Sequence, residues 1–297
     1  MTGFVVGYFG DGPWAHRTLE LLLDKPEITV AFVCSRYRTP DPVLADLARQ
    51  AVIPHIVHQD VNSDSFIDLI PNVEYDLFVS MSFDQIFGSS LIKCPRLQSI
   101  NCHAGKLPFY RGRNILNWAL INDEKEFGVT VHKMDEGIDT GDILAQQTLP
   151  ITDEDTYATL LARAHKACPE LLVETIEALR AGMATSRRQS DVHPVGSYCK
   201  ARGKGDERLS WEQTSREVFN FVRALCRPGP EARTWLGNSE IRINSVEEMS
   251  EIGDTDLPPG TVMEVEPACF TVATSDSPVR VVEWSGNGKI LTGGQLS

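Results

Sequence analysis

The sequence contains neither a long apolar run nor closely spaced cysteines. Its apolar segments are far shorter than the ~20 residues that a membrane-spanning helix needs. The seven cysteines are scattered without a C-x-x-C pair, which argues against a disulfide framework and against a zinc site. The N-terminus reads as a strand and has no signal-peptide pattern. We therefore expect a cytoplasmic protein with no membrane span and no bound metal.

Positive charge is also scarce. The 297 residues include 28 Lys and Arg against 41 Asp and Glu, giving a net charge of −13. Residues 206–297 alone carry eight basic and fifteen acidic side chains, a balance of −7. A surface that binds the phosphates of a nucleic acid needs the opposite sign. Nucleic acid is thus not an expected partner.

The first predicted turn lacks the glycine fingerprint of dinucleotide-binding proteins. It reads Gly10-Asp-Gly-Pro13, and position 15 is Ala, where G-x-G-x-x-G requires a third glycine. Dinucleotide binding is therefore disfavoured. Trp14, directly after this turn, either faces a ligand or packs over the first helix.

Short strand-like segments alternate with helix-like segments through the first half of the chain. The strands are expected at 4–9, 28–33, 55–57, 75–79 and 99–101. This alternation predicts an α/β fold with a Rossmann-like, mostly parallel sheet that binds ligands at the carboxyl ends of its strands. The expected N-terminal domain is 1–185, followed by a linker at 186–205. Residues 206–297, rich in short alternating runs, predict a smaller β-rich domain that forms an OB-like barrel.

Three polar side chains at strand ends and turns suggest acyl transfer. Asn101 and His103 are two residues apart in a predicted strand and point to one side, whereas Cys102 points into the packing. The amide can stabilise an oxyanion; the imidazole can accept a proton or, as a cation, stabilise the same oxyanion. Asp139, in a glycine-rich loop, can orient the imidazole. Each residue alone is more simply structural, but together they predict acyl transfer to a nitrogen without a covalent enzyme intermediate.

Several motifs together resemble the formyltransferases that use N10-formyltetrahydrofolate. These are Asn-x-His, Leu-Pro-x-x-Arg-Gly, Gly-Val-Thr-Val-His and Gly-Ile-Asp-Thr-Gly-Asp, all within residues 75–147, with weaker similarity at 205–211 and 221–230. The resemblance implies Asn101, His103 and Asp139 as the catalytic residues and the folate as co-substrate. It further implies a pterin pocket in two loops, formed by Met81, Phe83, Gln85, Ile86, Asp135, Gly137 and Asp139.

The loop after the histidine is similar to that of the sugar N-formyltransferases. It reads Gly105-Lys-Leu-Pro-Phe-Tyr-Arg-Gly-Arg-Asn114, whereas the methionyl-tRNA enzymes usually have Ser-Leu-Leu-Pro here. The resemblance implies a homodimer that formylates the amine of a dTDP-, UDP- or GDP-linked aminodeoxy sugar for surface glycans such as lipopolysaccharide O-antigen. The candidate substrate contacts are Trp14, Lys106, Tyr110, Arg113, Asn114 and Tyr198.

Some alternatives stay open at this point. Arg111 could contact a diphosphate or brace its own loop through backbone carbonyls. His132, in a predicted strand, could belong to the core or support the site, and we do not include it among the site residues. The chain could also be a methionyl-tRNA formyltransferase, or a folate- or nucleotide-binding module without activity.

Overall fold

The structure, a computed structural model, describes residues 3–249, 253 and 255–297. Its contacts divide the chain into two compact units that alternate along the sequence. The first unit comprises Met1–Gly112, Phe127–Leu149 and Arg163–Cys199. The second unit comprises Arg113–Glu126, Pro150–Ala162 and Lys200–Ser297. The predicted domain bounds 1–185 and 206–297 stay predictions.

Strands and helices are numbered along the chain. The strands are β1 Phe4–Gly10, β2 Ile28–Ser35, β3 His55–Val57, β4 Leu77–Met81, β5 Ser99–His103, β6 Arg111–Gly112, β7 Glu126–Lys133, β8 Ile143–Pro150, β9 Tyr198–Cys199, β10 Ala232–Leu236, β11 Ser239–Glu248, β12 Val262–Val265, β13 Phe270–Val272 and β14 Val279–Gly286. The helices are α1 Gly12–Leu23, α2 Pro42–Gln50, α3 Asp64–Ile67, α4 Ser89–Ile92, α5 Ile115–Ile121, α6 Tyr157–Arg180 and α7 Ser215–Leu225.

A seven-stranded sheet forms the centre of the first unit, in the order β3-β2-β1-β4-β5-β7-β8. Neighbours from β3 to β5 are parallel, and β7 runs antiparallel to β5. The parallel strands are almost wholly buried, as expected for a sheet that is covered on both faces. This arrangement confirms the predicted α/β class with a mostly parallel sheet.

Local sequence explains where the helices of this sheet begin. Pro13 lies in the first turn of α1, where the missing N–H of proline costs no hydrogen bond. Asp41 caps α2, because its carboxylate accepts hydrogen bonds from the N–H groups of Val43 and Leu44. The turn Gly10-Asp-Gly-Pro therefore ends β1 and starts a helix, as the sequence indicates.

The antiparallel strand β7 brings a second row of side chains next to β5. Asn101 pairs with His132, and His103 pairs with Thr130. Directly paired residues of neighbouring strands project to the same face of a sheet. The end of β5 and the middle of β7 therefore present their polar side chains together.

The second unit contains a five-stranded antiparallel sheet, in the order β10-β11-β14-β13-β12. Residues 294–297 contact both of its edges: Ser297 exchanges two hydrogen bonds with Trp235 of β10, and Gly294 O accepts one from Val262 N–H of β12. Leu296 lies buried in the apolar core that the sheet encloses. These contacts close the sheet into a barrel, which confirms the predicted β-rich domain.

Among the described residues, no helix has both the length and the apolar character needed to cross a membrane.

Candidate active site

The end of β5 separates the polar side chains from the cysteine between them. Asn101 and His103 lie on one face of the strand, and the thiol of Cys102 lies 3.6 Å from the carbonyl oxygen of Cys168 in α6. Burial, together with the neighbouring Cys168, raises the pKa of the Cys102 thiol well above its ordinary value. The thiol therefore stays protonated and inert, and packs as the strand alternation predicts.

His103 is held between two acceptors. Its Nε2 lies 2.7 Å from the carbonyl oxygen of Tyr110, and its Nδ1 lies 3.5 Å from Oδ2 of Asp139. Because a carbonyl oxygen can only accept, Nε2 carries the proton, and Nδ1 is the basic nitrogen of the neutral ring. Burial lowers the pKa of His103, although the charge of Asp139 and the Tyr110 carbonyl act in the opposite direction. The ring is thus largely neutral at pH 7 and available as a base.

Asp139 is fixed by its backbone and by three neighbours. It adopts a left-handed conformation with φ +54°, which aspartate tolerates better than most residues. Its Oδ2 accepts a hydrogen bond of 2.9 Å from Gly112 N–H. Burial acts to raise the pKa of Asp139, but His103, His132 and the Gly112 N–H outweigh it and hold the pKa below its usual range. The carboxylate is therefore ionised beside the basic nitrogen of His103.

His132 also contacts this cluster, so it supports the proposed site, which is one of the two interpretations left open from the sequence. Its Nε2 lies 3.3 Å from Nδ2 of Asn101 and 3.4 Å from Oδ1 of Asp139, and its Nδ1 donates to the carbonyl of Lys133. Only 3% of the residue is exposed. His132 thus links two of the three predicted catalytic residues. The sequence shows it on an alternating strand, but its partner depends on the register between β5 and β7.

Gly105 allows the loop after β5 to fold over the imidazole. A methyl group at this position would collide with the His103 ring and with the carbonyl of Tyr110. The carbonyl of Gly105 accepts a 2.6 Å hydrogen bond from Thr130 of β7. Tyr110 itself has φ +57°, which turns its carbonyl toward Nε2 of His103. The loop therefore fixes the tautomer of the histidine.

Arg111 braces this loop, which decides between its two interpretations. Its Nε and Nη2 both donate to Oε1 of Gln189, at 3.0 and 2.7 Å, and its Nη1 donates to the carbonyl of Val195. Gln189 in turn donates to the carbonyls of Asp139 and Gly141. Arg111 and Gln189 thus connect the Tyr110 loop with the Asp139 loop. No local signal in the sequence marks Gln189, because its partners are about 50 and 78 residues away.

The predicted pterin residues that follow β4 differ in their accessibility. Met81 is buried, with 1% of the residue exposed, and the ring of Phe83 packs against Phe9. The side chain of Gln85 joins two loops, since it donates to the carbonyl of His58 and accepts from Val61 N–H. Ile86 is 65% exposed. Their contact with a pterin stays a prediction.

The second predicted pterin loop is built around an aspartate. Oδ1 of Asp135 accepts hydrogen bonds from Gly137 N–H and from the Thr140 hydroxyl, so this carboxylate shapes the turn that carries Asp139. Ile138 is 53% exposed next to it. The two loops therefore each present an exposed isoleucine, an apolar surface of the kind on which a planar ring can lie.

The predicted substrate residues of the first unit are tied to neighbouring elements. Trp14 packs edge-on against His165 with ring centroids 4.8 Å apart, and Tyr110 N–H donates to the hydroxyl of Ser197. Tyr198 is 59% exposed and lies 5.1 Å from the Arg111 guanidinium. Lys106 is half-buried in the same loop.

The other two predicted substrate residues, Arg113 and Asn114, belong to the second unit. Both are exposed. The side-chain oxygen of Asn114 accepts a hydrogen bond of 2.9 Å from Arg202 N–H. Their contact with a substrate stays a prediction, as it does for the four residues of the first unit.

The cluster defines a class of enzyme. An amide donor, a neutral imidazole and an ionised carboxylate lie together at the carboxyl end of a central strand. These groups are suited to acyl transfer by acid–base catalysis. Within the described residues, no group of His, Cys, Asp and Glu has an arrangement that could hold a metal ion.

Comparison with known proteins identifies the family. Residues 5–176 match the model "Formyl transferase", and residues 203–296 match "Formyl transferase, C-terminal domain". The chain belongs to the formyl transferase family and is an enzyme that transfers formyl groups.

The relatives and the solved structures that resemble this chain differ in the acceptor that their names give. The methionyl-tRNA formyltransferase of Geobacter metallireducens is 31% identical over 97% of this chain and 93% of its own length. That of Pelotomaculum thermopropionicum is 33% identical over 94% and 90%. Among solved structures, the sugar 3N-formyl transferase WlaRD, with dTDP and 5-N-formyl-THF, has a TM-score of 0.69 at 21% identity over 98% of this chain and 100% of its own. The N-formyltransferase of Helicobacter canadensis, with folinic acid and dTDP-3-aminofucose, has a TM-score of 0.70 at 19% identity over 95% and 100%.

Proposed function

We propose that the enzyme transfers the formyl group of N10-formyltetrahydrofolate to the amine of a nucleotide-linked aminodeoxy sugar. The observation that carries the chemistry is a connected cluster of side chains: Asp139 lies 3.5 Å from Nδ1 of His103 and 3.4 Å from Nε2 of His132, and that Nε2 lies 3.3 Å from the amide of Asn101. Ile86 and Ile138 are exposed, one on each of the two loops that the family resemblance assigns to the pterin, and they offer apolar surface for it. When bound, N10-formyltetrahydrofolate supplies a formyl carbon that an amine can attack.

Each side chain of the cluster has its own role in the transfer. The Asn101 amide donates to the formyl oxygen as it gains negative charge during attack by the neutral amine. Nδ1 of His103 accepts the proton that the amine loses, and Asp139 stabilises the imidazolium at 3.5 Å. The ring then returns a proton to the leaving nitrogen of tetrahydrofolate. Nε2 of His132 accepts a hydrogen bond from the Asn101 amide and holds it in position, and Gly112 N–H holds the Asp139 carboxylate.

Two features of the chain support a sugar acceptor. The loop of residues 105–114 has the sequence pattern of the sugar N-formyltransferases. Residues 206–297, which form the barrel, carry a net charge of −7, and this opposes the binding of a polyanion. WlaRD and the Helicobacter canadensis enzyme share this fold and were solved with dTDP or a dTDP-linked amino sugar. Cytoplasmic residence, a homodimer and a role in surface glycan synthesis belong to the same proposal.

Methionyl-tRNA is the second candidate acceptor, and the names of the curated relatives favour it. Those relatives are 31% and 33% identical over nearly the whole chain. This alternative predicts binding of tRNA that weakens steeply with added salt.

Release of tetrahydrofolate tests the proposal. The purified enzyme is mixed with N10-formyltetrahydrofolate and, in separate reactions, with dTDP-, UDP- and GDP-linked amino sugars. We expect release with at least one of them. If tetrahydrofolate appears with none of these sugars but does appear with methionyl-tRNA, the second candidate replaces the first.

A further inference from the structure

A cleft of about 490 Å³ lies within the second unit, and Asn114 is the one residue of its lining that is also a predicted substrate contact. Its walls come from the start of α5 and of α6, from the segment 202–207, from the turn after α7 and from β10. Its volume falls in the range of about 300–1,000 Å³ that is typical of small-molecule sites. The cleft is therefore large enough for a ligand of nucleotide size.

The charge of the cleft is opposite to that of its surroundings. Arg202, Lys204 and Arg233 line it, and Glu207 is the one acidic residue among its lining residues. The surrounding segment 206–297 has a net charge of −7. A local excess of positive charge in an acidic protein favours an anionic ligand.

Two of these cations have N–H groups that can still bind an anion. Lys204 is exposed and makes no ion pair with any residue that the structure describes. Nη1 of Arg233 lies 3.6 Å from both Glu207 and Glu240, longer than the ~2.7–2.9 Å of a strong charge-assisted hydrogen bond. Nε of Arg233 is buried and has no hydrogen-bond partner in the described part of the chain. An unsatisfied buried donor costs free energy, which an anion in the cleft would recover.

The segment that carries Arg202 and Lys204 is held in place before any ligand binds. The guanidinium of Arg202 lies 5.5 Å from the ring of Trp118 and 5.7 Å from that of Phe221. The backbone N–H of Arg202 donates to the side-chain oxygen of Asn114. Nε1 of Trp118 donates to the carbonyl of Lys200. A preformed site loses less conformational entropy on binding than a mobile one.

Other residues that line the cleft are less polar. They include Tyr157, Leu225 and Pro230, together with the amide of Asn117. A ligand that combines an anionic group with a planar, partly apolar group matches this mixed lining. We propose that the cleft binds a nucleotide, with Lys204 and Arg233 at its phosphates and Tyr157 against its nucleoside.

The nucleotide can come from two sources. It is either the nucleotide part of the acceptor sugar, in which case the inference rests on the proposed function, or a free nucleotide that binds independently of the reaction. The shared chemistry is a phosphate group attached to a nucleoside.

Calorimetric titration of the full-length enzyme with dTDP, and separately with inorganic pyrophosphate, tests the site. The variants are Lys204→Ala and Arg233→Gln, with Lys289→Ala as the control, because Lys289 is an exposed cation of the same unit outside the cleft. We expect dTDP affinity to fall about tenfold in each cleft variant, equivalent to one charge-assisted hydrogen bond, and to stay at the wild-type value in Lys289→Ala. Should Arg233→Gln fail to fold, Lys204→Ala decides alone, since that side chain is exposed. Equal affinity in all variants, or no dTDP binding to the wild type, overturns the proposal.

Kinetics with a nucleotide amino sugar separate the two sources. If the KM for the sugar rises in Lys204→Ala while kcat is retained, the cleft holds the acceptor. If the KM is unchanged while dTDP affinity falls, the cleft holds a separate nucleotide. If the enzyme formylates no sugar, the proposed function is contradicted, but calorimetry still tests whether the cleft binds a nucleotide.

Discussion

The imidazole of His103 is placed so that it gains a proton next to a negative charge. Nε2–H donates to Tyr110, which leaves Nδ1 as the only basic site of the ring, 3.5 Å from the carboxylate of Asp139. Burial keeps the ring neutral before the reaction, and Asp139 stabilises it once it is protonated. This difference between the two states is what a general base requires.

Replacement of Asp139 by Asn should remove this stabilisation without changing the shape of the site. The amide oxygen of Asn can still accept from Gly112 N–H, but it carries no charge to pair with the imidazolium. We expect kcat to fall roughly 10²- to 10⁴-fold, measured as the initial rate of tetrahydrofolate formation. Asp142→Asn, the same change three residues along, serves as the control and should retain wild-type kcat. Full activity in Asp139→Asn would remove Asp139 from the mechanism.

The lowered pKa of His103 predicts how activity depends on pH. Since the base must be neutral, kcat/KM should rise with pH along a limb that lies below the ordinary histidine pKa of about 6.5. The free energy of unfolding should likewise increase with pH over this range. As pH falls below about 6.5, the unfolded chain binds the proton before the folded one, so the folded state loses stability. Initial rates and melting temperatures across this range check both, and a rate that increases on acidification would contradict the role of His103 as a base.

The proposed catalytic residues could be named from the sequence, but part of their environment could not. The spacing of Asn101 and His103 places them on one face of a strand whatever the rest of the fold. The roles of His132 and Gln189 depend on partners 31 and 50 residues away, reached across a strand register and a loop. Such contacts follow from tertiary packing, and no local periodicity carries them.

Among the elements, the loop between β5 and β6 controls the orientation of the imidazole. Gly105 has no room for a side chain, because a methyl group there would collide with His103 and with the Tyr110 carbonyl. Gly105→Ala should shift one of the two and weaken the bond that fixes the tautomer. A displacement on this scale costs on the order of 10²-fold in kcat. The measurement is kcat at saturating substrates, and a wild-type value would show that the loop tolerates the added methyl group.

Closure of the barrel depends on the segment 294–297, which contacts both β10 and β12. Leu296 is 2% exposed in the barrel core, whereas the nearby Leu291 is 55% exposed. Leu296→Ala should lower the free energy of unfolding by about 2–5 kcal/mol, the range for a buried leucine. Denaturant titration measures it, and Leu291→Ala is the matched control with a small expected effect. Equal effects of the two variants would mean that Leu296 does not contribute to closure.

The predictability of these elements differs. The alternation of apolar segments predicts β1 to β5 close to their observed bounds. The antiparallel direction of β7 and the closure of the barrel by residues 294–297 involve pairings between distant segments. Hydrophobic pattern specifies that a strand exists, but not which neighbour it pairs with.

For the whole molecule, charge is the property that bears on the acceptor. A chain with net charge −13 repels a polyanion at long range, yet it can bind a small phosphate ligand wherever cations converge locally. The cleft of Arg202, Lys204 and Arg233 is such a place. The interleaving of the two units along the sequence could not be predicted. The composition changes clearly only near the predicted linker at 186–205, whereas the chain also passes from one unit to the other after residues 112, 126, 149 and 162.

Direct competition between the two acceptors tests the central claim. The enzyme is incubated with N10-formyltetrahydrofolate and a mixture of a nucleotide-linked amino sugar panel and methionyl-tRNA, and each acceptor is then analysed by mass spectrometry. We expect a formylated sugar nucleotide and unmodified methionyl-tRNA, with far less product formed by Asp139→Asn in the same time. Formylated methionyl-tRNA beside unmodified sugars would contradict it.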